Sequence, residues 1–252
     1  MGQDGRSKQI VEYLKLHNLV TVDELVSLTG ASPATIRREL TKLDKEGAVY
    51  RVHGGVTLNR FVPNQPTTNE KQGQHHKEKL MIAAAASKLV RPGDSIVLDA
   101  GTTTIEIARN LIDIPLRVIT NDLHIGLLLA DYQQMEVSVT GGTVDWSSQS
   151  CIGDVAVNFL SKVHPTYTFI SCNAFKVDTG ITAPTSDKAA VKRVMTQHSS
   201  KRVLVADSSK YGLTQLFEVS PLTSVDMIIT DRGLDGKKAE EIRKLGIELI
   251  LC

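Results

Sequence analysis

Apolar positions near the start of the chain recur at helical spacing. Ile10, Val11 and Leu14 fall on one face of a helix over residues 6–17, with Asn18 placed to end it. A second helix fits 22–28. Thr21 suits its N-cap, and Glu24, three residues on, completes a capping box. Gly30 breaks the chain. Ser32 then caps a third helix with Pro33 in its first position. Ile36, Leu40 and Leu43 give that helix one buried stripe, and Gly47 ends it. Two β-prone runs flank His53-Gly54-Gly55 within 48–58 and read as a hairpin. Three short helices and a hairpin in under about 60 residues predict a winged helix-turn-helix over 1–58.

The stretch 59–74 holds Pro63, Pro66 and Gly73 among polar residues and reads as a linker. From 75 to 252 the pattern changes. Short continuous apolar runs at 95–99, 116–120, 136–140, 167–171, 202–206, 226–230 and 247–251 alternate with helical patterns. The helices fall at 77–89, 103–112, 123–130, 155–163, 187–197 and 237–245. Strands without polar alternation are those covered on both faces, so this half predicts an α/β domain with a largely parallel sheet.

Composition narrows the picture. No apolar run approaches the length of a membrane span, and no signal peptide is visible, so a cytoplasmic protein without membrane contact is expected. Cys151, Cys172 and Cys252 are scattered and odd in number, without metal spacing. His75 and His76 are adjacent, so on a helix they diverge and cannot easily share a metal. Neither a metal nor a cofactor is expected. Residues 1–60 carry nine Lys/Arg against seven Asp/Glu, and the rest of the chain twenty against twenty-one. Charge balance therefore says little about nucleic acid, and placement must carry that argument.

With Ile36, Leu40 and Leu43 buried, the third helix turns Thr35, Arg37, Arg38 and Lys42 outward. Ser32, Ala34 and Thr35 lie at its N-terminal end, which enters the major groove in this motif. Arg37 and Arg38 can reach guanine edges or phosphates. Arg51 and His53 in the wing can reach the backbone or minor groove, although His53 serves equally well to complete the turn. Double-stranded operator DNA is the expected partner, and a palindromic operator requires a homo-oligomer, a dimer or tetramer.

The second candidate chemistry is Asp99-Ala100-Gly101-Thr102-Thr103-Thr104, between an apolar strand and a helix. Gly101 permits close backbone approach, the threonines offer hydroxyls, and the helix offers free N–H groups, which together suit a phosphate. Other strand ends add Thr120-Asn121-Asp122, Gly141-Gly142-Thr143 and Asp207-Ser208-Ser209-Lys210. Asn121 and the two glycines serve as readily in ordinary turns. Trp146 either packs in the core or lines the ligand site. The Asp-x-Gly-Thr-Thr string also opens the phosphate loop of actin-like sugar kinases. Its mid-chain position here leaves too little chain for their two lobes.

Arg6 and Ile10, then Ser32-Pro33-Ala34-Thr35-Ile36-Arg37-Arg38-Glu39-Leu40, then Arg51-Val52-His53-Gly54-Gly55-Val56 resemble the DeoR/GlpR family of sugar-metabolism regulators. Glu39 stands where the family commonly has Asp. The resemblance runs on through Asp99–Thr104, Thr120-Asn121, Thr140-Gly141-Gly142, Gly153, Lys192-Arg193 and 207–210. It implies a sensor domain similar to ribose-5-phosphate isomerase and a phosphorylated sugar-type effector. It also implies repression relieved by that effector. Family members often carry a Glu before the helix bearing Lys192-Arg193, and here Asp187 followed by Lys188 stands there. Two other readings stay open. One is a sugar-phosphate isomerase using Asp187 or Asp178 as base, and the other is a winged-helix module serving only protein contacts.

Overall fold

The computed structural model describes residues 3–17, 20–52, 55–58 and 68–252. The chain divides into two compact units, Met1–Lys71 and Gln72–Cys252.

The first unit opens with α1 (Gln3–Leu16), α2 (Val22–Thr29) and α3 (Pro33–Lys45). These are followed by an antiparallel pair, β1 (Tyr50–Val52) and β2 (Gly55–Thr57). The capping box forms as the residue types require. The Thr21 hydroxyl accepts from the Glu24 N–H at 3.2 Å, and the Thr21 N–H donates back to the Glu24 carboxylate at 2.6 Å. Gly30 ends α2 in the left-handed region at φ 66°, where a side chain would be strained. Ile10 and Leu14 of α1, Leu25 of α2, and Ile36, Leu40 and Leu43 of α3 close over Val20, Val49 and Val56 in one core. Asn18 and His53 lie outside the described residues, as do 59–67 of the stretch read as linker. The remainder of that stretch is not all extended: Thr68–Gly73 forms a short helix, α4. No proline falls in 68–73, so nothing bars a helical turn there.

The second unit is built on a parallel sheet of seven strands. These are β3 (Ser95–Leu98), β4 (Leu116–Thr120), β5 (Met135–Val139), β8 (Tyr167–Ser171), β11 (Lys201–Val205), β13 (Met227–Thr230) and β14 (Glu248–Leu251). Their order is β14-β13-β11-β8-β3-β4-β5, and every neighbouring pair is parallel. The period-2 geometry of strands splits their side chains between two cores. On one face Ile96, Leu98, Phe169, Val203 and Val205 meet α5 (His76–Ser87), α6 (Thr102–Asn110) and α7 (Leu123–Ala130). On the other Val97, Ile170, Leu204 and Ile228 meet α8 (Asp154–Leu160), α9 (Ser186–Met195) and α10 (Gly236–Lys244). The α/β reading thus holds, and each apolar run marks a strand of this sheet.

Two small antiparallel sheets were not legible in the sequence. One is the hairpin β6 (Thr143–Asp145) with β7 (Ser150–Ile152). The other joins β9 (Ala174–Lys176), β10 (Gly180–Ala183) and β12 (Phe217–Ser220) in the order β12-β10-β9. Strands of three or four residues carry too little periodicity to register.

The sheet order has a functional consequence. From β3 the chain builds outward through β4 to β5, then returns to the other side of β3 with β8 and builds outward again. The order therefore reverses between β3 and β8. A crevice opens at the carboxyl ends of strands where such a reversal occurs.

Candidate functional site: an arginine-bearing helix and a strand-end crevice

In the first unit the Ser32 hydroxyl caps α3, accepting from the Thr35 N–H at 3.3 Å and lying 2.9 Å from the Thr35 hydroxyl. Both hydroxyls thus organise the start of the helix. Ser32, Ala34, Arg37, Arg38 and Lys42 are exposed, Thr35 half-buried. With 3.6 residues per turn, Arg38 lies opposite the Ile36, Leu40 and Leu43 stripe and Arg37 about a quarter-turn from it. Lys42 makes only a long contact to Glu46, 3.9 Å on the same helix. Arg51 lies in β1, but its side chain and all of His53 fall outside the described residues. Glu39 is turned inward and 3% exposed. Its carboxylate accepts from the Ser7 hydroxyl at 2.5 Å and lies 3.5 Å from the Arg6 guanidinium, tying α3 to α1. An acidic residue on an arginine-rich helix is thereby kept away from the surface that carries the arginines.

In the second unit the β3–β8 reversal is occupied by a buried charge cluster. Asp99, 1% exposed, accepts from the Ala100 N–H and the Ser171 N–H, each at 2.9 Å, and lies 3.1 Å from the Ser171 hydroxyl, which donates to the Ala100 carbonyl at 2.6 Å. The Lys192 ammonium, reaching in from α9, pairs with the same carboxylate and donates to the Ser171 carbonyl at 2.9 Å. Gly101 sits so close to Ser171 that an added Cβ would lie 2.6 Å from its hydroxyl and 2.8 Å from its Cβ. Close approach, not an unusual φ, is what demands glycine here.

The neighbouring strand end braces the same loop. Asn121 accepts from the Ala100 N–H at 2.9 Å through its side-chain oxygen and donates to the Cys151 carbonyl at 3.2 Å. Asp122, fully buried, accepts from the Gly101 N–H at 3.2 Å and caps α7 through the N–H groups of His124 and Ile125. Burial raises the Asp122 carboxyl above the usual range, against the pull of those N–H donors. The Thr120 hydroxyl donates to the Leu98 carbonyl at 2.7 Å, and that of Thr104 to the Asp99 carbonyl at 2.6 Å. Asp99, Thr104, Thr120 and Asn121 therefore hold the loops in place with the polar atoms that the sequence suggested for ligand contact.

The strand-end groups not taken up in bracing the loops are fewer. α6 begins at Gly101 with no side-chain cap on its N-terminus. Thr102 and Thr103 lie in its first turn, and among the described residues neither hydroxyl has a protein partner. Lys210 ends the 3₁₀ turn Ser208–Lys210 after β11, half-buried, 3.9 Å from Asp207. Gly141 and Gly142 adopt φ 70° and 113° in the turn from β5 into β6, and a Cβ on Gly142 would meet the Ile152 carbonyl at 2.6 Å. They shape that turn.

Asp187 is exposed in the first turn of α9. Its neighbour Lys188 turns inward to Asp145 (2.9 Å) and the Ser147 hydroxyl (3.0 Å). Burial would raise the Asp145 carboxyl, but the Lys188 charge and the hydroxyls of Ser147 and Ser148 outweigh it and bring it down to about 2. Trp146, at the turn of that hairpin, is 45% exposed and belongs to neither core. The Asp178 side chain is 82% exposed and lies 3.7 Å from Lys176, so neither it nor Asp187 has the buried setting that tunes a general base. Cys172 is buried beside the cluster, and burial pushes its thiol up to about 12. Among the described residues no group of His, Cys, Asp and Glu could hold a metal, and no helix is long and apolar enough to cross a membrane. Sequence reasoning placed Asp122 at a strand end, did not single out Ser171 and Lys188 for this site, and left Lys192 as a family element only. Lys188 and Lys192, four apart on α9, were the available signal.

Residues 6–61 match the DeoR-like helix-turn-helix domain, and residues 74–232 match the DeoR C terminal sensor domain. The chain is 36% identical over 247 residues to an uncharacterized HTH-type transcriptional regulator of Haemophilus influenzae, covering 98% of this chain and 96% of that one. It is 32% identical over 253 residues to a putative aga operon transcriptional repressor of Escherichia coli O157:H7, covering 99% and 94%. It is 30% identical over 258 residues to the HTH-type transcriptional repressor GlcR of Bacillus subtilis, covering 100% and 97%. Among solved structures, ribose 5-phosphate isomerase A of Methanocaldococcus jannaschii overlaps 55% of each chain at 16% identity with a TM-score of 0.41, a partial likeness that supports no further step.

Proposed function

The chain belongs to the DeoR family of DNA-binding transcriptional regulators, and from that premise we propose that it represses a carbohydrate-utilisation operon under the control of a phosphorylated sugar or sugar acid. Operator DNA is read by α3 through Ala34, Thr35, Arg37 and Arg38. Lys42, Arg51 and His53 contribute backbone contacts. The protein acts as a homo-oligomer, because a two-fold operator needs two copies of α3.

One observation carries the effector reading. The uncapped start of α6, with the unpartnered hydroxyls of Thr102 and Thr103, lies at the carboxyl ends of the strands where the sheet order reverses. Free helical N–H groups, hydroxyl donors and nearby ammonium groups fit a phosphate dianion. Lys210 supplies a cation at the β11 end, and Asp99, Asn121, Asp122 and Lys192 keep the loop in register. Asp187, on the surface of α9, is the weakest member of the predicted set. The effector shifts DNA affinity only as far as it binds two states of the protein differently.

The test is thermal unfolding of the full chain with inorganic phosphate, ribose 5-phosphate, fructose 6-phosphate and 6-phosphogluconate, each against its unphosphorylated counterpart. A ligand present at about a hundred times its Kd adds about 2.7 kcal/mol to the native state. The expected result is a rise in Tm with a phosphorylated compound, lost in Thr103→Ala and in Lys210→Ala. The same compound then lowers affinity for a duplex selected by the protein from a random pool. No shift with any phosphorylated compound refutes the phosphate assignment.

A further inference from the structure

Lys79 is a buried charge of the second unit outside the cluster around Asp99. On α5 it shares a stripe with Ile82, Ala83 and Ala86, all buried, and is itself 4% exposed. An ammonium on an apolar stripe is costly unless its position is used. Its Nζ donates at 2.5 Å to the carbonyl of Gln74, just before α5 starts. Between them His75 bends the chain in the left-handed region, φ 51° and ψ 36°, with no side-chain cap, a conformation that disfavours a non-glycine residue. The carboxylates of Asp207, Glu106 and Glu78 favour its charge, and the ammonium of Lys210 opposes it. Burial lowers its pKa below the usual lysine value. Lys79 thus holds the bend that opens α5 by a hydrogen bond while its charge responds to those of the 207–210 turn.

We infer that Lys79 is a positioning residue that transmits occupancy of the strand-end crevice to the bend at Gln74-His75, where the chain arrives from the DNA-binding unit. The inference rests on the proposed phosphate site beside Lys210. An anion there cancels the repulsion between Lys210 and Lys79 and attracts the Lys79 ammonium toward the crevice. The hydrogen bond to the Gln74 carbonyl weakens, and the bend at His75 loses a contact that holds it. The first helical hydrogen bond of α5, from the Lys79 N–H to the His75 carbonyl (3.1 Å), loosens with it. The start of α5 then samples other directions, which changes how the preceding chain presents the DNA-binding unit.

Hydrogen exchange of a peptide covering residues 73–84 tests this, alongside Tm and affinity for the selected duplex, with whichever compound of the panel shifts Tm most. In the wild type the compound is expected to raise Tm and to speed exchange in that peptide several-fold. Lys79→Gln keeps a donor for the Gln74 carbonyl and removes the charge. Its Tm shift is expected to persist, while the exchange response and the effect on DNA affinity vanish. Lys79→Arg, which restores the charge, brings both back. A wild type whose Tm rises without any change in exchange at 73–84 overturns the inference and leaves the phosphate site standing. So does a Lys79→Gln protein whose DNA affinity still responds. If Lys79→Gln does not fold, the wild-type exchange result decides alone. If no compound raises the wild-type Tm, the site reading fails and this inference fails with it.

Discussion

The Asp99–Lys192 pair makes a quantitative prediction about what holds the crevice together. In Lys192→Met the aliphatic stem is kept and the ammonium removed. Asp99 then stays 1% exposed, its carboxylate facing only the N–H groups of Ala100 and Ser171 and the Ser171 hydroxyl. Leaving a buried charge without its partner costs about 3–5 kcal/mol. The two backbone N–H donors that remain, the nearby Ser171 hydroxyl and the slight exposure of Lys192 place the expected loss near the lower end, about 3 kcal/mol. For a unit the size of Gln72–Cys252, each kcal/mol shifts Tm by about 2–4 °C, so the transition should fall by about 6–12 °C. The assay is urea and thermal unfolding of the full chain, with Asp99→Asn and the double variant completing a cycle. The double variant has no unpaired charge and should recover at least half of the loss caused by Lys192→Met. A Lys192→Met loss below about 1 kcal/mol refutes the claim that this pair organises the reversal point. Additive single effects in the double variant refute it too.

Three further outcomes are expected. Replacing Arg37 or Arg38 by Ala should weaken binding to the selected duplex; if the contact is to phosphate, the slope of log K against log salt falls by about 1, and if to a base edge, sequence discrimination is lost, both read by titration over a range of salt. Gly101→Ala drives a methyl group against Ser171 and should cost about 1–3 kcal/mol by denaturant unfolding, and the Tm response to phosphorylated compounds should disappear with it. The Asp145 carboxyl is held at about 2, below its ordinary 3.8, so its pairing stabilises the protein above pH 4 and that contribution fades as pH falls from about 4 to about 2. It amounts to about 2 kcal/mol at most, offset in part because burial pushes Lys188 down, and Asp145→Asn should flatten this limb of the stability–pH curve.

Much of the fold was legible because its signals are local. The Thr21–Glu24 capping box, Pro33 at the start of α3, and the seven apolar strand runs each act within a few residues of chain. The site was legible only as an address. Asp99, Thr104, Thr120 and Asn121 were recognised as polar residues at strand ends, but whether such groups face a ligand or brace a loop depends on partners far along the chain. Ser171 lies 72 residues from Asp99, and Lys192 lies 93. No periodicity encodes those pairings. Lys79 was hidden differently: a lysine on a helix reads as solvated until burial shows that it occupies an apolar stripe. The short strands β9, β10 and β12 escaped because their pairing is set by long-range contact and not by pattern.

The reversal of strand order also dictates a schedule during synthesis. Strands β3, β4 and β5 occupy residues 95–139 and can pair as a contiguous segment as the chain emerges. The other wall of the crevice is β8, which pairs with β3 only after residue 171 has been made. Pairing of parallel strands so far apart in sequence is slow, because a long loop must close before any contact rewards it. The N-terminal unit, with its contacts local and its residues first out of the ribosome, has no such wait. A nascent chain therefore completes the helix that carries Arg37 and Arg38 before the crevice has its second wall.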